Sequence, residues 1–329
     1  MPNKKTAVFV GAAILCLIAV PASLMLGAAR LSLSALWQAF FDTNSTAYTI
    51  LRFARLPRTI AAMLAGSALA VSGAVIQTVL HNKLASPGII GVNAGAGLSV
   101  TICCALGVLS GWAIAASAFF GAMAAVFLIV AIARRVSASR TTVILAGVAV
   151  NAFLNALSEA VTTVFPEIST LTVDFRVGGF SAVSTVRLIP AGILILLAIA
   201  ILLTLTNELD VIALGEETAA GLGISVRRMQ TLFLLLAALL AGAAVSFGGL
   251  LGFIGLIVPH TVRKLVGSES KYVLPLCALG GAGFVTLSDV AARLLFAPYE
   301  LPIGILMAVL GGPFFLLLLL KRKGGDHHA

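Results

Sequence analysis

The sequence predicts an all-α polytopic membrane protein of about ten transmembrane helices, with short extra helices in the loops. Three observations predict it. Hydrophobic residues fill 60% of the 329 positions and charged residues only 10%, against roughly 45–50% and about 25% in soluble domains. Mean hydropathy is +1.13. The apolar residues fall into successive runs, and at roughly 20 residues per span the length holds about ten. A water-soluble enzyme core and a disordered chain are both excluded. The apolar excess is also spread too evenly for one anchor on a soluble domain.

The first span, 6–27, follows Lys4 and Lys5 as a signal peptide would. No small-residue cleavage site clearly follows, so it reads as a retained span. Spans at 59–79, 93–112, 114–133, 142–163, 189–206 and 229–248 come next. The eighth, 250–262, is short and carries Pro259, which predicts a tilted, broken or differently bounded helix. Spans at 272–291 and 302–320 complete the set, and Trp112 falls at a span end, where an indole is favoured. Four connections are long. Segment 28–58 carries an amphipathic-looking piece from Leu31 to Phe41 and ends in RFARLPR, while 80–92 breaks at Pro87-Gly88. In 164–188, Gly178 and Gly179 interrupt any helix. Segment 207–228 runs acidic, then small, then basic, which suits short helices on the inner membrane face. Ten spans also divide into two inverted halves, and SALAVSGAVIQ and LLAGAAVSFGG look loosely alike.

The formal net charge is +9. Lys and Arg gather in short loops, where they set topology rather than bind nucleic acid. With the N-terminus in the cytoplasm, Arg30, Arg52, Arg55, Arg58, Arg176, Arg187 and Arg293 fall outside, and the other 14 of the 21 basic residues fall inside. The positive-inside rule is then satisfied, and ten spans put both termini in the cytoplasm.

Chemistry-bearing patterns are sparse. The glycine spacings Gly91-x-x-x-Gly95 and Gly95-x-Gly97 suit close helix packing, and no strand–helix context supports dinucleotide binding. No GxxxxGK followed by Ser or Thr is present, so any ATP used is bound by another chain. His81, His260, His327 and His328 form no HExxH, and Cys16, Cys103, Cys104 and Cys277 lie in apolar runs without ligand spacing. Neither a metal site nor a cofactor is expected, and the chain is not read as an enzyme. Glu159 lies toward the outer end of the fifth span. Asp289 and Arg293 share a helical face near the outer end of the ninth, either as an interfacial ion pair or as part of a relay or docking surface. A relay needs several deep acids, and these are too few to favour an ion-coupled secondary transporter. A structural or signalling membrane subunit is the third alternative.

Several segments, in order, resemble the FecCD-like permease subunits of type II ABC importers for iron-siderophores, haem and cobalamin. They are RLPRTIAAMLAGSALAVSGAVIQ from Arg55, NKLASPGIIGVNAGAG from Asn82 and SRTTVILAGVAVNA from Ser139. VGGFS from Val177, ALGEETAAGLGI from Ala213, GFIGLIVPHTVR from Gly252 and ELPIGILMAVLGGPFFLLLL from Glu300 follow. The resemblance covers about residues 50–320. It implies that 1–329 is a single transmembrane permease domain, with 207–228 as its cytoplasmic coupling loop. It also implies a bacterial cytoplasmic (inner) membrane location and import of an iron chelate, iron-siderophore first, haem or cobalamin otherwise. The implied partners are a second permease subunit, identical or homologous, two cytoplasmic ATPase subunits and an external substrate-binding protein. Relatives often have Trp where Phe175 stands, and many have Arg where Ala220 stands.

Four groups of site residues follow from the resemblance. Arg55, Arg58 and Arg293 dock the binding protein, because a planar guanidinium binds carboxylates bidentately. Leu214, Gly215, Glu216, Glu217, Ala219, Gly221 and Gly223 contact the ATPase. The two carboxylates favour a helix N-terminus, and the small residues allow close approach. Asn82, Leu84, Ser137 and Ser139 form the cytoplasmic gate, where short side chains close a path without placing fixed charge in it. Gly178, Gly179 and Phe180 shape the outer cavity.

Overall fold

The structure, a computed structural model, describes residues 2–27, 31, 32, 34, 37, 39, 41–136 and 140–323. Among these residues the regular elements are helices. They are α1 (Pro2–Met25), α2 (Thr46–Val79), α3 (Val92–Ala105), α4 (Gly111–Val136), α5 (Arg140–Val164), α6 (Ile168–Val177) and α7 (Thr185–Thr204). After them come α8 (Thr206–Ala213), α9 (Glu216–Gly221), α10 (Val226–Gly248), α11 (Ile254–Val266), α12 (Ser270–Leu295) and α13 (Ile303–Lys323). Each of the ten expected spans is a helix, and α6, α8 and α9 are the extra helices in the loops. Seven helices are long and apolar enough to cross a membrane; α3 and α13 are shorter apolar helices. The expected third span, 93–112, stops early: α3 ends at Ala105, and Trp112 belongs to the first turn of α4. Residues 31–41, the amphipathic-looking piece, are described only in part.

Hydrogen bonds show which helix ends lie together. At one end, which holds most of the basic side chains, Lys5 donates to Glu269 at 2.7 Å. That bond holds the Glu269 carboxyl below its usual range. Arg134 donates to Thr231, the Arg227 guanidinium to the Arg134 carbonyl, and Arg263 to Thr78. At the opposite end Arg293 reaches the Ser23 and Leu26 carbonyls, and Arg187 the carbonyl of Gly111. The helices joined by these bonds therefore run in the directions that the span order requires.

The centre is α2, the most buried of the seven long spans. It starts with a cap, Ser45 accepting the Tyr48 N–H at 3.1 Å, and then widens into a π-helical stretch over Ile50–Arg55. Pro57 follows directly. A proline ring crowds the carbonyl four residues back, and the wider turn, with Leu56 N–H bonded to the Leu51 carbonyl, relieves that crowding. Small residues then let neighbours press in. A Cβ on Gly66 would overlap the Gly281 carbonyl of α12, and one on Gly73 the Gly255 backbone of α11. Ser67 and Ser72 donate to the carbonyls of Ala278 and Ala237 at 2.8 and 2.6 Å, locking α12 and α10 to α2.

The eighth span has the expected 13 residues but starts four residues later than 250–262. Gly248 accepts the Gly179 N–H at 2.9 Å near the arginine-bearing end. Residues 249–253 then carry the chain back to the level of Gly73, where α11 begins beside Leu69. Phe253, at φ 63°, is the helix-starting residue. With 13 residues, α11 rises only about 20 Å, against a hydrocarbon core of about 30 Å. It is a half-helix reached through a re-entrant loop.

Candidate functional site

At the basic end a cavity of about 860 Å³ opens between the last turn of α2, its following loop and α11. Gln77, Asn82, Leu84, His260, Arg263 and Lys264 line it, together with His81 and Lys83. Asn82 and Leu84 are thus at a cavity wall, and Ser137 and Ser139 lie outside the described residues. Lys83, Arg263 and Lys264 line the same space, so three fixed positive charges stand beside the short side chains of Asn82 and Leu84. Local bonding also explains the loop shape. Asn82 Oδ1 accepts the Leu84 N–H at 2.9 Å, and Asn151 of α5 donates to the Gly88 and Ile89 carbonyls at 2.9 and 3.2 Å.

Gln77 does something the sequence reading did not weigh. Pro259 has no N–H, so the carbonyl of Gly255 lacks its helical donor. Gln77 Nε2 supplies one at 2.9 Å. The signal was present as a lone amide in an otherwise apolar span and a proline in another, but nothing in the sequence pairs the two. Arg263, in the last turn of α11, donates to the Ala74 carbonyl and Thr78 Oγ1 at 2.8 and 2.9 Å.

The loop expected to meet an ATPase forms α8 and α9. Glu216 and Glu217 occupy the first turn of α9. Ala219 is buried against the chain itself, whereas Ala220, Gly221 and Gly223 are exposed. Leu214 and Leu222 flank them at 64% and 61% exposure. The helix ends in a Schellman motif, Ile224 N–H to the Ala219 carbonyl and Gly223 N–H to the Ala220 carbonyl, with Gly223 at φ 82°. Gly215 turns the chain into α9 at φ 116°.

At the opposite end the three arginines cluster, and two of them share one acid. Asp289, fully buried, takes Arg58 Nε and Nη2 at 3.0 Å and Arg293 Nε at 3.1 Å. Arg58 Nη1 also meets Glu300 at 2.5 Å. Arg293 is 1% exposed and spends its remaining donors on the Ser23 and Leu26 carbonyls and Ser23 Oγ. Arg55 is 6% exposed and donates to the Leu26 carbonyl at 2.9 Å. The structure brings the expected trio together but directs Arg55 and Arg293 inward. Arg58, at 12%, keeps an edge at the surface beside exposed Glu300.

The segment around Gly178 is tied to the end of α10 and the start of α13. Gly178 ends α6 at φ 78°, its carbonyl accepts the Gly304 N–H at 3.2 Å, and Phe175 accepts the Leu250 N–H at 2.9 Å. Phe180 is 1% exposed and packs on Gly248. Among the described residues no group of three or more His, Cys, Asp or Glu could hold a metal ion.

Long apolar helices around a central helix, a half-helix entered through a re-entrant loop and hydrogen-bonded polar clusters at both ends define a multi-pass helical membrane protein. Comparison with known proteins narrows the class. The profile of the FecCD transport family matches residues 15–321, and the chain belongs to that family. It is 35% identical to the hemin transport system permease protein HmuU of Yersinia pestis, covering 94% of each chain. It is 35% identical to the Fe(3+)-citrate import system permease protein YfmD of Bacillus subtilis, covering 98% of this chain and 96% of that protein. The vitamin B12 import system permease protein BtuC of Pectobacterium atrosepticum is 39% identical over 82% of each. Among solved structures, an inward-facing metal-chelate type ABC transporter superposes with a TM-score of 0.85 at 28% identity, covering 96% of this chain and 99% of that one.

Proposed function

We propose that the chain is the permease subunit of an ATP-driven importer in a bacterial cytoplasmic membrane, moving an iron chelate delivered by an external binding protein. The observation that carries this reading is the near full-length similarity to permeases of hemin and ferric citrate systems. An iron-siderophore is the first candidate cargo, and haem or cobalamin the next. The subunit pairs with a second permease, identical or homologous, and with two cytoplasmic ATPases. Its own work is conformational: it makes and breaks no covalent bond and alternates between outward-open and inward-open packings.

Support for the inner half of this reading is the largely exposed Leu214–Gly223 segment, at the same end as the cavity walled by Asn82 and Leu84. Exposed Leu214 and Leu222 beside exposed Ala220, Gly221 and Gly223 suit a protein groove better than water. Both termini and this loop then face the cytoplasm. Ser137 and Ser139 complete the gate, and Gly178, Gly179 and Phe180 shape the outer vestibule. Docking of the binding protein falls to the exposed edge of Arg58, while buried Arg55 and Arg293 bind the end of α1.

Reconstitution tests the reading. Proteoliposomes containing the chain, a soluble ATPase and a binding protein are expected to accumulate ferric chelate only with ATP. Uptake driven by an ion gradient without the ATPase overturns it. Asn82→Cys and Ser137→Cys are expected to change cross-linking with nucleotide state, and constant cross-linking removes the gate assignment.

A further inference from the structure

We propose that His81 is a positioning residue that ties the loop after α2 to the segment carrying α9, so that the inner mouth and the ATPase contact move together. The proposal rests on the reading of those two segments given above. His81 sits just beyond the end of α2 with φ 49°. Its N–H bonds the Thr78 carbonyl at 3.2 Å, and the Asn82 N–H bonds the Gln77 carbonyl at 3.1 Å. That is a Schellman ending, where glycine is favoured because a Cβ is crowded in the left-handed region. Helix termination by itself therefore does not call for an imidazole here.

What the imidazole adds is a bond. Nε2 lies 3.0 Å from the carbonyl of Ile212 in α8. A carbonyl only accepts, so Nε2 carries the proton, and the bond holds for the neutral Nε2–H tautomer and the imidazolium alike. The same carbonyl accepts the Gly215 N–H at 3.2 Å, closing the turn that leads into α9. Ile212 is buried, so this carbonyl is fixed in the packing. Two residues earlier, Asp210 accepts the Ser270 N–H at 2.9 Å and anchors α8 to the start of α12. On the other side, His81 stands immediately before Asn82 and lines the cavity. One carbonyl thus joins the entry to α9 and the wall of the inner mouth.

The test uses the full chain in the reconstituted importer. His81→Gly keeps, and relaxes, the left-handed ending while removing the bond. It is expected to leave the melting temperature equal or higher and ATP hydrolysis intact, but to lower chelate moved per ATP by about three- to ten-fold, the range one lost hydrogen bond covers. His81→Gln returns a donor at the Nε2 position and is expected to restore most of the ratio. In parallel, hydrogen exchange on the lipid-embedded full chain reads the link without transport: the Gly variant is expected to raise exchange in 80–91 and 206–221 together. An unchanged transport-to-ATP ratio with unchanged exchange overturns the link, and so does a fall in melting temperature with the ratio preserved. Linked exchange in a wild-type protein that shows no ATP-driven uptake upholds the link and sinks the importer reading instead.

Discussion

Gln77 and Pro259 show how a single side chain repairs a helix. Loss of the amide in Gln77→Leu leaves the Gly255 carbonyl unsatisfied in a buried position, at a cost of about 1–3 kcal/mol. Pro259→Ala returns a backbone N–H to that carbonyl, so the double variant is expected to be more stable than the two single effects predict. Thermal unfolding of the four proteins measures the coupling, and strict additivity would contradict the pairing. Asp289 carries a larger penalty. Its carboxylate is shared by Arg58 and Arg293, with no exposure of its own. Asp289→Ala strands two guanidinium groups, and removing one partner of a buried pair costs about 3–5 kcal/mol. Little folded protein is expected after membrane extraction, and near-normal yield and melting temperature would argue that water reaches the cluster.

Two kinds of glycine separate packing from coupling among the elements. Gly73 meets the backbone of α11, and a side chain there forces α2 and α11 apart. Gly221 meets nothing within 4 Å and lies within α9. Gly73→Leu is therefore expected to abolish folding, whereas Gly221→Leu inserts and purifies normally. The second variant should hydrolyse ATP without moving cargo if α9 seats in an ATPase groove, and normal uptake would remove α9 from that role. Proline, glycine and short loops made most of these elements legible in the sequence. Ten apolar runs became ten helices, and Gly178-Gly179 ended α6. The start of α11 was not legible, because Gly248 to Gly252 is a glycine-rich apolar stretch whose return to mid-depth depends on bonds to 175–179.

The whole molecule is polarised. One end holds a cavity with three fixed positive charges on its wall, and the other a cluster of three arginines balanced by Asp289 and Glu300. Arg58 is already engaged, so an incoming acidic partner competes with Glu300 for the same guanidinium edge. Charge reversal at Arg58 would place a third acid beside buried Asp289 and disturb the fold. The cleaner probe is Glu300→Gln. It is expected to tighten binding-protein docking about two- to five-fold at low salt, the factor a partly exposed ion pair carries, with the gain shrinking as salt rises. Unchanged or weaker docking would take Arg58 out of the contact.

Span number, the uneven distribution of basic residues and the family pattern were determined by the sequence alone, because run length and charge placement are read along the chain without knowing what touches what. That Arg55, Arg58 and Arg293 share one end was legible for the same reason. Which of them face inward, which amide completes which broken helix and which carbonyl His81 reaches were decided only by the tertiary structure. Arg58 and Asp289 are 231 residues apart, Gln77 and Gly255 178, and His81 and Ile212 131. Inside an apolar bundle each buried donor or acceptor must find a partner, and only the packed helices determine which partner is within reach.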